Sequence, residues 1–548
     1  NESRYNASAS SHGPPPSISE KFSLSPDPAA WGADITNPEP DDFLHNPDPK
    51  RDHKTDSDAN VFTMRGLSNL GCLLVLALGI MTLFAGYPII SHFTSHRPSF
   101  FGGFNVGGIN STGQVPEING NFGLIDLHTP QEFYTMNSYQ NPGTELQLVF
   151  SDEFELDGRS FYPGDDPYWE AVDLHYWQTN NLEWYDPAAV TTKDGALEIT
   201  LSQKQTHGLN YQGGLISSWG GLIVSAVTLP GTNNIHGLWP AVWTMGNLGR
   251  AGFGASLEGM WPYTYDSCDV GTAPNQTVNS LPEAATVGGD PGVGGALSFL
   301  PGQRLSRCTC NGEPHPGPVH EDGSYVGRSA PEIDIFEAQI SNGAGQVSQS
   351  AQWGPFNNEY IWFNTSDNLI IPDPSISVLN TYIGGAFQQA TSVVTDTDQE
   401  CYQLLNSTCF AIYGFEYKPG FANAYISWIA NDKIAWTLNQ AGMAADTAVE
   451  IGPRPVPQEP LYIIANLGMS ENFGVVDFEH LTFPAVMRVD YIRVYQPKDA
   501  INIGCDPAAF PTQAYINEYL PAYTNPNFTT WRDDFGQPFP KSSELGQC

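Results

Sequence analysis

Glu332, Asp334 and Glu337 place three carboxylates in the six-residue stretch EIDIFE, with apolar residues between them. On a regular β-strand side chains alternate between two faces, so Glu332 and Asp334 share one face and the isoleucines share the other. Strict alternation would turn Glu337 toward the isoleucines, but a one-residue bulge near Ile335 or Phe336 returns it to the other acids. The sequence therefore predicts three acids in a row on one face of a bulged strand.

Such a row of carboxylates suits hydrolysis of a glycosidic bond with retention of configuration. In that reaction one ionised carboxylate attacks the anomeric carbon, and a protonated carboxyl about 5 Å away donates to the leaving oxygen. Crowded like charges push their pKa values apart, so at least one carboxyl keeps its proton near neutral pH. Because the pattern is short, an acidic strand that faces solvent and a Ca²⁺ site are the alternatives.

Aromatic and amide side chains near the acids indicate a polysaccharide groove. They occur in HGLWPAVWTMG before the acids and in VSQSAQWGPFN after them. Tryptophan faces bind the apolar faces of sugars, and amides bond to hydroxyls, although core packing is the alternative for each tryptophan. The predicted substrate contacts are Trp219, Trp239, Trp243, Gln349, Gln352 and Trp353.

The elements that must position these residues are short strands. From about residue 145 to 497 the chain consists of β-prone runs such as LQLVFSDEF, GALEITLSQ and RVDYIRVYQ, separated by Gly, Pro, Asn and Asp. Many short strands are typical of an all-β antiparallel sandwich or jelly roll, and no repeat supports the alternative of a β-propeller. Residues from about 248 to 330 form a Gly- and Pro-rich insertion with three cysteines, which we expect to serve the site.

A membrane anchor is predicted ahead of this region. Residues 1–65 are rich in Pro, Ser, Asp and Asn without an apolar period, which indicates a disordered tail. Residues 66–90 carry no charge and are long enough to cross about 30 Å of hydrocarbon as a signal-anchor helix, with a buried core helix as the alternative. Since basic residues are concentrated before the span, the tail is expected in the cytosol and a stem, residues 91–144, in the lumen.

Sequons and cysteines agree with a secretory location. Seven of the eight cysteines follow the predicted span, where an oxidising lumen favours disulfides. We hypothesise that Cys401 pairs with Cys409 and Cys505 with Cys548, although spacing does not fix the connectivity. The predicted glycosylation sites are Asn110, Asn275, Asn364, Asn406 and Asn527. The domain beyond the span is therefore expected in the lumen of the ER or Golgi or outside the plasma membrane.

The charge balance excludes one class of partner. The chain has 59 acidic and 22 basic residues, for a formal net charge of −37. A polyanion such as nucleic acid is repelled by this balance, whereas a neutral polymer is not.

The motifs taken together resemble a known family. EIDIFE is similar to the bulged E-x-D-x-x-E signature of glycoside hydrolase family 16, the retaining β-glucanases and transglycosylases with a concanavalin-like β-jelly-roll fold. FSDEF, GALEI, GLWPAVW and VDYIRVYQ resemble that family's flanking blocks in the same order, over residues 145–497. The Pro-rich tail, the span, APEIDIFEAQ and the cysteine-bearing extension over residues 498–548 resemble its fungal β-glucan synthesis-associated branch, type II membrane proteins needed for cell-wall β-1,6-glucan.

That resemblance implies a role for each acid. Glu332 would be the nucleophile, Glu337 the general acid and base, and Asp334 would hydrogen-bond the nucleophile and help to set its charge. No cofactor is implied; some members carry a structural Ca²⁺ on the convex side, and the sequence shows no decisive ligand set for one. The insertion departs from simpler members, which leaves the preferred glucan linkage open.

Three functions compete on the sequence alone. The leading hypothesis is a membrane-anchored glycosidase or transglycosylase that acts on β-glucan through a covalent glycosyl-enzyme. A non-catalytic glucan-binding scaffold that assists a synthase is the alternative, although a binder has little reason to keep three repelling carboxylates in its groove. A nucleotide-sugar glycosyltransferase rests only on the lone DTD at Asp396–Asp398, in a chain without βαβ texture.

Overall fold

The structure of the protein is a computed structural model in which the chain divides into two units, Asn1–Arg97 and Pro98–Cys548. The structure describes Lys50 and residues 64–86, 123–218, 224–504 and 506–548. Most of the predicted tail and the beginning of the predicted stem lie outside the described residues.

The described residues of the first unit include a long apolar helix, α1 (Met64–Met81), which continues as a π-helical turn over Thr82–Gly86. Among the described residues, Leu67–Gly86 is the one helical stretch long and apolar enough to cross a membrane, by length and composition. Its leucine side chains are exposed, and so is Cys72, the one free cysteine of the described part of the chain. These features are compatible with a single-pass anchor.

The second unit is built from strands, because its sequence consists of short runs rich in β-branched and aromatic residues between turn residues. The strands are β1 (Thr135–Asn137), β2 (Glu145–Asp152), β3 (Trp169–Ala171), β4 (Glu183–Tyr185), β5 (Val190–Lys193), β6 (Ala196–Leu201), β7 (Tyr211–Ser218), β8 (Val224–Thr228), β9 (Trp239–Gly246), β10 (Glu332–Ser341), β11 (Ala344–Trp353), β12 (Leu369–Ile370), β13 (Ser377–Leu379), β14 (Gly384–Gly385), β15 (Gln388–Asp396), β16 (Ala411–Lys418), β17 (Tyr425–Ala430), β18 (Lys433–Asn439), β19 (Leu461–Gly468) and β20 (Ala485–Pro497).

These strands form two ten-stranded sheets. The sheet that carries the acids, called the acid sheet below, has the order β13-β15-β11-β10-β9-β19-β7-β3, with β14 beside β15 and β4 beside β7. The opposite sheet has the order β1-β2-β20-β8-β16-β17-β18-β12, with β6 beside β20 and β5 beside β6. Only β4 and β7 pair in parallel among the strand pairs of the described residues. The predicted all-β jelly-roll sandwich is confirmed.

The main hydrophobic core fills the space between the two sheets. Ile333 and Phe336 of the acid sheet lie in the same buried cluster as Trp428 and Trp436 of the opposite sheet. The two tryptophans stack with their ring centroids 4.0 Å apart. Burial of aliphatic and aromatic side chains on both inner faces stabilises the sandwich.

Helical turns lie outside the sheets, in the connections and at the C-terminal end. Within the part of the second unit that the structure describes, three are α-helical, namely α2 (Gly254–Leu257), α3 (Gln513–Glu518) and α4 (Leu520–Thr524). The 3₁₀ turns are Gln131–Phe133, Trp177–Thr179, Pro187–Ala189, Val270–Thr272, Pro274–Gln276, Glu283–Ala285, Pro291–Val293, Asn358–Tyr360 and Gln440–Met443.

The insertion and the C-terminal extension pack together. A second buried cluster joins Phe253 and Met260 of the insertion to Tyr515 and Trp531 of the extension, and it lies on the acid face of β9 and β19. The part of the predicted stem that the structure describes also contributes to the sandwich, because β1 pairs with β2.

The disulfides correct one predicted pairing and confirm another. Cys401 pairs with Cys409 as predicted. Cys548 pairs with Cys310 of the insertion rather than with Cys505, which lies outside the described residues. Cys268 pairs with Cys308 within the insertion. Sequence spacing could not distinguish these possibilities, because the partner of Cys548 is set by how the extension folds back.

Candidate active site

The predicted bulge is present in β10 and brings the three acids to one face. Against β9, the register shifts by one residue between Asp334 and Phe336. As a result Glu332, Asp334 and Glu337 lie opposite every second residue of β9, from Met245 back to Ala241. Since residues two apart on a strand share a face, the three acids share a face as well.

Two side chains from the core side stabilise this bulge. Trp428 on the opposite sheet donates its indole N–H to the carbonyl oxygen of Asp334 at 2.8 Å. Gln349 on β11 donates its amide to the carbonyl oxygens of Ile335 and Ile429 at 3.0 Å each. A bulge disrupts the ladder of backbone hydrogen bonds, and an unpaired buried carbonyl is costly. Both donors therefore fix the local backbone that aims the acids.

Each acid also accepts hydrogen bonds from side chains that lie on the acid face of the sheet. Trp261 of the insertion donates its indole N–H to Oε2 of Glu332 at 2.6 Å. Ser350 and Gln352, both on β11, donate to Oδ2 of Asp334 at 2.7 and 2.9 Å.

Glu337 lies at the opposite end of the row, beside an aromatic pair. Trp239 donates its indole N–H to Oε1 of Glu337 at 3.0 Å. The Trp239 ring stacks on Phe473, with centroids 4.3 Å apart and planes 3° from parallel. Glu337 and Trp239 are both half-buried, so this end of the row remains accessible to solvent.

Burial raises the pKa values of all three acids, and charge repulsion adds to the shift of Glu332 and Glu337. Burial, followed by the charges of Asp334 and Glu337, raises the pKa of Glu332 well above its usual range, and the Trp261 hydrogen bond opposes this shift. Burial raises the pKa of Asp334, against the hydrogen bonds of Ser350 and Gln352. Burial and the charge of Asp334 raise the pKa of Glu337 to about 8. The cluster therefore holds at least one proton at neutral pH.

The remaining predicted contacts fall on two different faces. Trp243 lies opposite Asp334 on the acid face, where its indole donates to Asn466 at 2.8 Å. Trp353 is buried between the sheets and donates to Thr391, and Gln349 is buried on the same inner side. This placement corrects the expectation that Trp353 and Gln349 contact substrate, because strand alternation turns both away from the acids.

Two of the predicted residues, Trp219 and Asn110, lie outside the described residues. The four sequon asparagines that the structure describes all have exposed side chains, which leaves them sterically open to a glycan: Asn275, Asn364, Asn406 and Asn527.

Sequence reasoning missed several groups at the site. Trp261 arrives from the insertion, whose path no strand pattern predicts. Tyr176 lies close enough that the charge of Glu332, after burial, raises the pKa of its hydroxyl well above the usual range. Asn466 follows β-prone residues in LYIIANLG, and its polar side chain within that apolar run was the available signal.

Two side-chain clusters in the described part of the chain have spacing that would suit a metal ion. They are Cys268 and Cys308 with Glu544, and Cys401 and Cys409 with Asp398. Both pairs of cysteines are disulfide-bonded, so neither cluster offers a thiolate to a metal.

Comparison with known proteins identifies relatives along nearly the whole chain. It is 41% identical to "Beta-glucan synthesis-associated protein SKN1" of Candida albicans over 527 residues, 93% of this chain and 67% of that protein. It is 39% identical to "Beta-glucan synthesis-associated protein KRE6" of Saccharomyces cerevisiae over 531 residues, 94% of this chain and 69% of that protein. The catalytic domain of an endo-1,3-beta-glucanase (laminarinase) from Thermotoga petrophila is 19% identical, with a TM-score of 0.35, and the match covers 65% of this chain and 99% of that domain.

Two antiparallel sheets and a bulged inner strand with three aligned acids define an all-β jelly-roll protein with a carboxylate cluster on one sheet face. The chain belongs to the "Beta-glucan synthesis-associated protein SKN1/KRE6/Sbg1" family, whose model matches residues 31–548. This confirms the fungal branch predicted from the sequence and connects the chain with β-glucan synthesis.

Proposed function

We propose that the protein is a membrane-anchored, retaining glycosidase or transglycosylase that acts on β-glucan during synthesis of cell-wall β-1,6-glucan. The observation that carries this proposal is the register of β10, which aligns Glu332, Asp334 and Glu337 on one face within mutual electrostatic reach. Two carboxyl groups with different protonation states are the minimum requirement of a retaining mechanism.

In the proposed reaction, Glu332 attacks the anomeric carbon as a carboxylate and forms a glycosyl-enzyme. Glu332 must be ionised at that moment, since only the carboxylate is nucleophilic, so the protons of the cluster must then lie on Asp334 or Glu337. Glu337, protonated up to about pH 8, donates its proton to the leaving oxygen. It then takes a proton from water or from a sugar hydroxyl, which attacks the anomeric carbon and releases Glu332.

The aromatic pair at the Glu337 end supports a sugar polymer as the substrate. The stacked rings of Trp239 and Phe473 lie directly beside the general acid. Aromatic faces of this kind bind the apolar faces of sugars. A neutral glucan also meets no repulsion from the chain's charge of −37. We propose that this domain lies in the lumen of the secretory pathway or outside the cell, in keeping with its disulfides and sequons.

The full chain in detergent, incubated with β-1,3- and β-1,6-linked gluco-oligosaccharides, tests the proposal. Longer products indicate transfer and shorter ones indicate hydrolysis, and Glu332→Gln should lower either rate at least 1,000-fold, on the order expected for loss of a nucleophile. Glu132→Gln, an exposed glutamate on the 3₁₀ turn Gln131–Phe133, is the matched control. Binding of oligosaccharide without conversion by the unmodified chain would instead favour the scaffold.

A further inference from the structure

Trp261 connects the insertion to the proposed nucleophile through a short hydrogen bond. Its indole N–H lies 2.6 Å from Oε2 of Glu332. A donor to a carboxylate favours the ionised form and holds its orientation, and such charge-assisted bonds are the strong ones. A catalytic consequence of this bond rests on the proposed function, because Glu332 is the group assigned as nucleophile.

The segment that carries Trp261 is held in place by the C-terminal extension. Ala255 on α2 donates its backbone N–H to the carbonyl of Phe528 at 2.9 Å. One carboxylate oxygen of Glu258 accepts the backbone N–H groups of Trp531 and Arg532 at 2.6 and 3.0 Å. These bonds lie three to six residues before Trp261, so the extension determines where that short segment lies.

A buried arginine links the same segment to the extension from the other side. The guanidinium of Arg304 donates to the carbonyls of Ala255 and Ser256 at 3.2 and 3.0 Å. It also lies 3.6 Å from the ring centroid of Trp531, which is itself buried. Trp261 packs against the hydrophobic cluster that contains Trp531 and Tyr515.

The end of the extension is attached covalently to the insertion. Cys548, the last residue of the sequence, is bonded to Cys310. Backbone hydrogen bonds from Cys310 to Lys541 and from Ser543 to Cys308 flank this disulfide at 2.9 and 2.8 Å. The extension is therefore fastened both at its tip and along its length.

We infer that the C-terminal extension acts as a positioning device for catalysis, holding Trp261 on Glu332 so that the nucleophile is oriented and its ionised form is favoured. Trp261 is a positioning residue in this scheme, because it acts through Glu332. Glu258 and Arg304 are two side chains that connect the extension to the segment before Trp261.

Trp261→Phe tests the first step, because it keeps an aromatic ring in the cluster and removes the indole donor. Loss of one hydrogen bond to a charged group should lower kcat/KM by about 10- to 100-fold, mainly in kcat. In the pH profile of kcat/KM, the acidic limb should move to a pH about one unit higher, since the variant loses an interaction that favours the carboxylate of Glu332. Trp184→Phe is the matched control, since its indole donates to Asp173 at the same distance of 2.6 Å.

A second readout does not depend on activity. Carbodiimide reacts with carboxyl groups in a protonation-dependent manner. Labelling of Glu332 in the full chain is measured by peptide mass spectrometry at a series of pH values. The pH at half-maximal labelling then reports the pKa of Glu332. This pH midpoint should rise in Trp261→Phe and stay unchanged in Trp184→Phe. If the unmodified chain converts no glucan but this midpoint still shifts, the positioning by Trp261 stands and the proposed reaction fails.

Glu258→Ala tests the step through the extension. It removes the acceptor of two extension N–H groups and leaves Trp261 unchanged, so both readouts should move in the same direction as in Trp261→Phe but less. A purely structural role would lower the melting temperature without moving either pH midpoint. The inference is overturned if Trp261→Phe matches Trp184→Phe within twofold in kcat/KM and within experimental error in the labelling midpoint.

Discussion

Three carboxylates in one row cost folding free energy, and the surrounding donors show how the fold tolerates them. The outer acids each accept one indole N–H, from Trp261 and from Trp239, while Asp334 accepts from two side chains of β11. These bonds only partly offset burial, because the pKa of every member is still raised. The cluster is therefore poised to hold and release protons, as acid and base chemistry requires.

The pH profile of Glu337→Gln can be predicted from the raised pKa of Glu337. Because that pKa is about 8, the carboxyl is protonated below this value and the proposed donor is lost as pH rises through it. The unmodified chain should therefore lose glucan conversion above about pH 8. Glu337→Gln should lower the rate about 100- to 10,000-fold and abolish this basic limb.

The measurement is kcat/KM against pH for the unmodified chain, for Glu337→Gln and for the exposed control Glu132→Gln. A basic limb that persists unchanged in Glu337→Gln would show that another group donates the proton.

At the scale of elements, the bulge in β10 is stabilised by groups from both sheets. Gln349 reaches it from the neighbouring strand and Trp428 from the opposite sheet. The main core and the acid cluster are thus connected through two backbone carbonyls, those of Asp334 and Ile335. A change on the core side should alter chemistry on the other face.

Gln349→Leu tests this connection. The substitution keeps the approximate volume and leaves the carbonyls of Ile335 and Ile429 without their donor, which should cost about 1–3 kcal/mol of unfolding free energy. Glucan conversion should fall further than this loss of stability explains, since the bulge sets the direction of Glu337. Gln346→Leu, on the same strand but bonded to Asp396, is the control.

Urea unfolding and steady-state kinetics at a temperature where both variants are folded separate the two effects. If Gln349→Leu is destabilised but keeps the kcat of the unmodified chain, the bulge does not depend on this amide.

The same strand shows what sequence alone could predict. The bulge was predictable, because only a one-residue shift in the alternation of the strand puts all three acids on one face and the apolar residues on the other. The faces of β11 were partly predictable too: Gln349 and Gln352 are three residues apart, so a regular strand puts them on opposite faces. Residue type alone nevertheless assigns both amides to substrate, and only the register of β11 against β10 shows that Gln352 is the one facing Asp334. Trp261 could not be predicted, since its position depends on long-range packing.

At the scale of the whole molecule, the second unit is closed by a bond between distant parts of the sequence. Cys310 and Cys548 are 238 positions apart, whereas Cys401 and Cys409 are 8 positions apart. A disulfide restricts the unfolded chain more when it closes a longer loop.

Removal of each bond should therefore have a different cost. In the chain-entropy model, Cys548→Ser should cost about 5.5 kcal/mol of unfolding free energy and Cys409→Ser about 2.5 kcal/mol. Thermal unfolding of both variants and of the unmodified full chain in the same buffer shows which variant loses more stability. A larger loss for Cys409→Ser would indicate that the extension keeps structure in the unfolded state or contributes little to the fold.

The acid cluster should also make stability depend on pH. The pKa of Glu337 is about 8 in the folded chain and 4.5 as its ordinary value. Between these values the folded state binds more protons than the unfolded state, so stability is fully present below about pH 4.5 and is lost as pH rises through about 8. The loss from this one group is on the order of a few kcal/mol, since each pKa unit corresponds to about 1.4 kcal/mol and the half-buried side chain is partly screened.

Net charge acts in the same direction, because a chain with a formal charge of −37 repels itself more as its acids ionise. A comparison of variants separates the contribution of the acid cluster from that of net charge. Glu337→Gln has no proton to lose, so the fall of its melting temperature between pH 5 and pH 8 should be shallower than that of the unmodified chain, while Glu132→Gln should retain the full slope. Equal slopes in all three proteins would mean that Glu337 titrates as an ordinary glutamate, and the proton needed for the proposed first step would then have to come from elsewhere in the cluster.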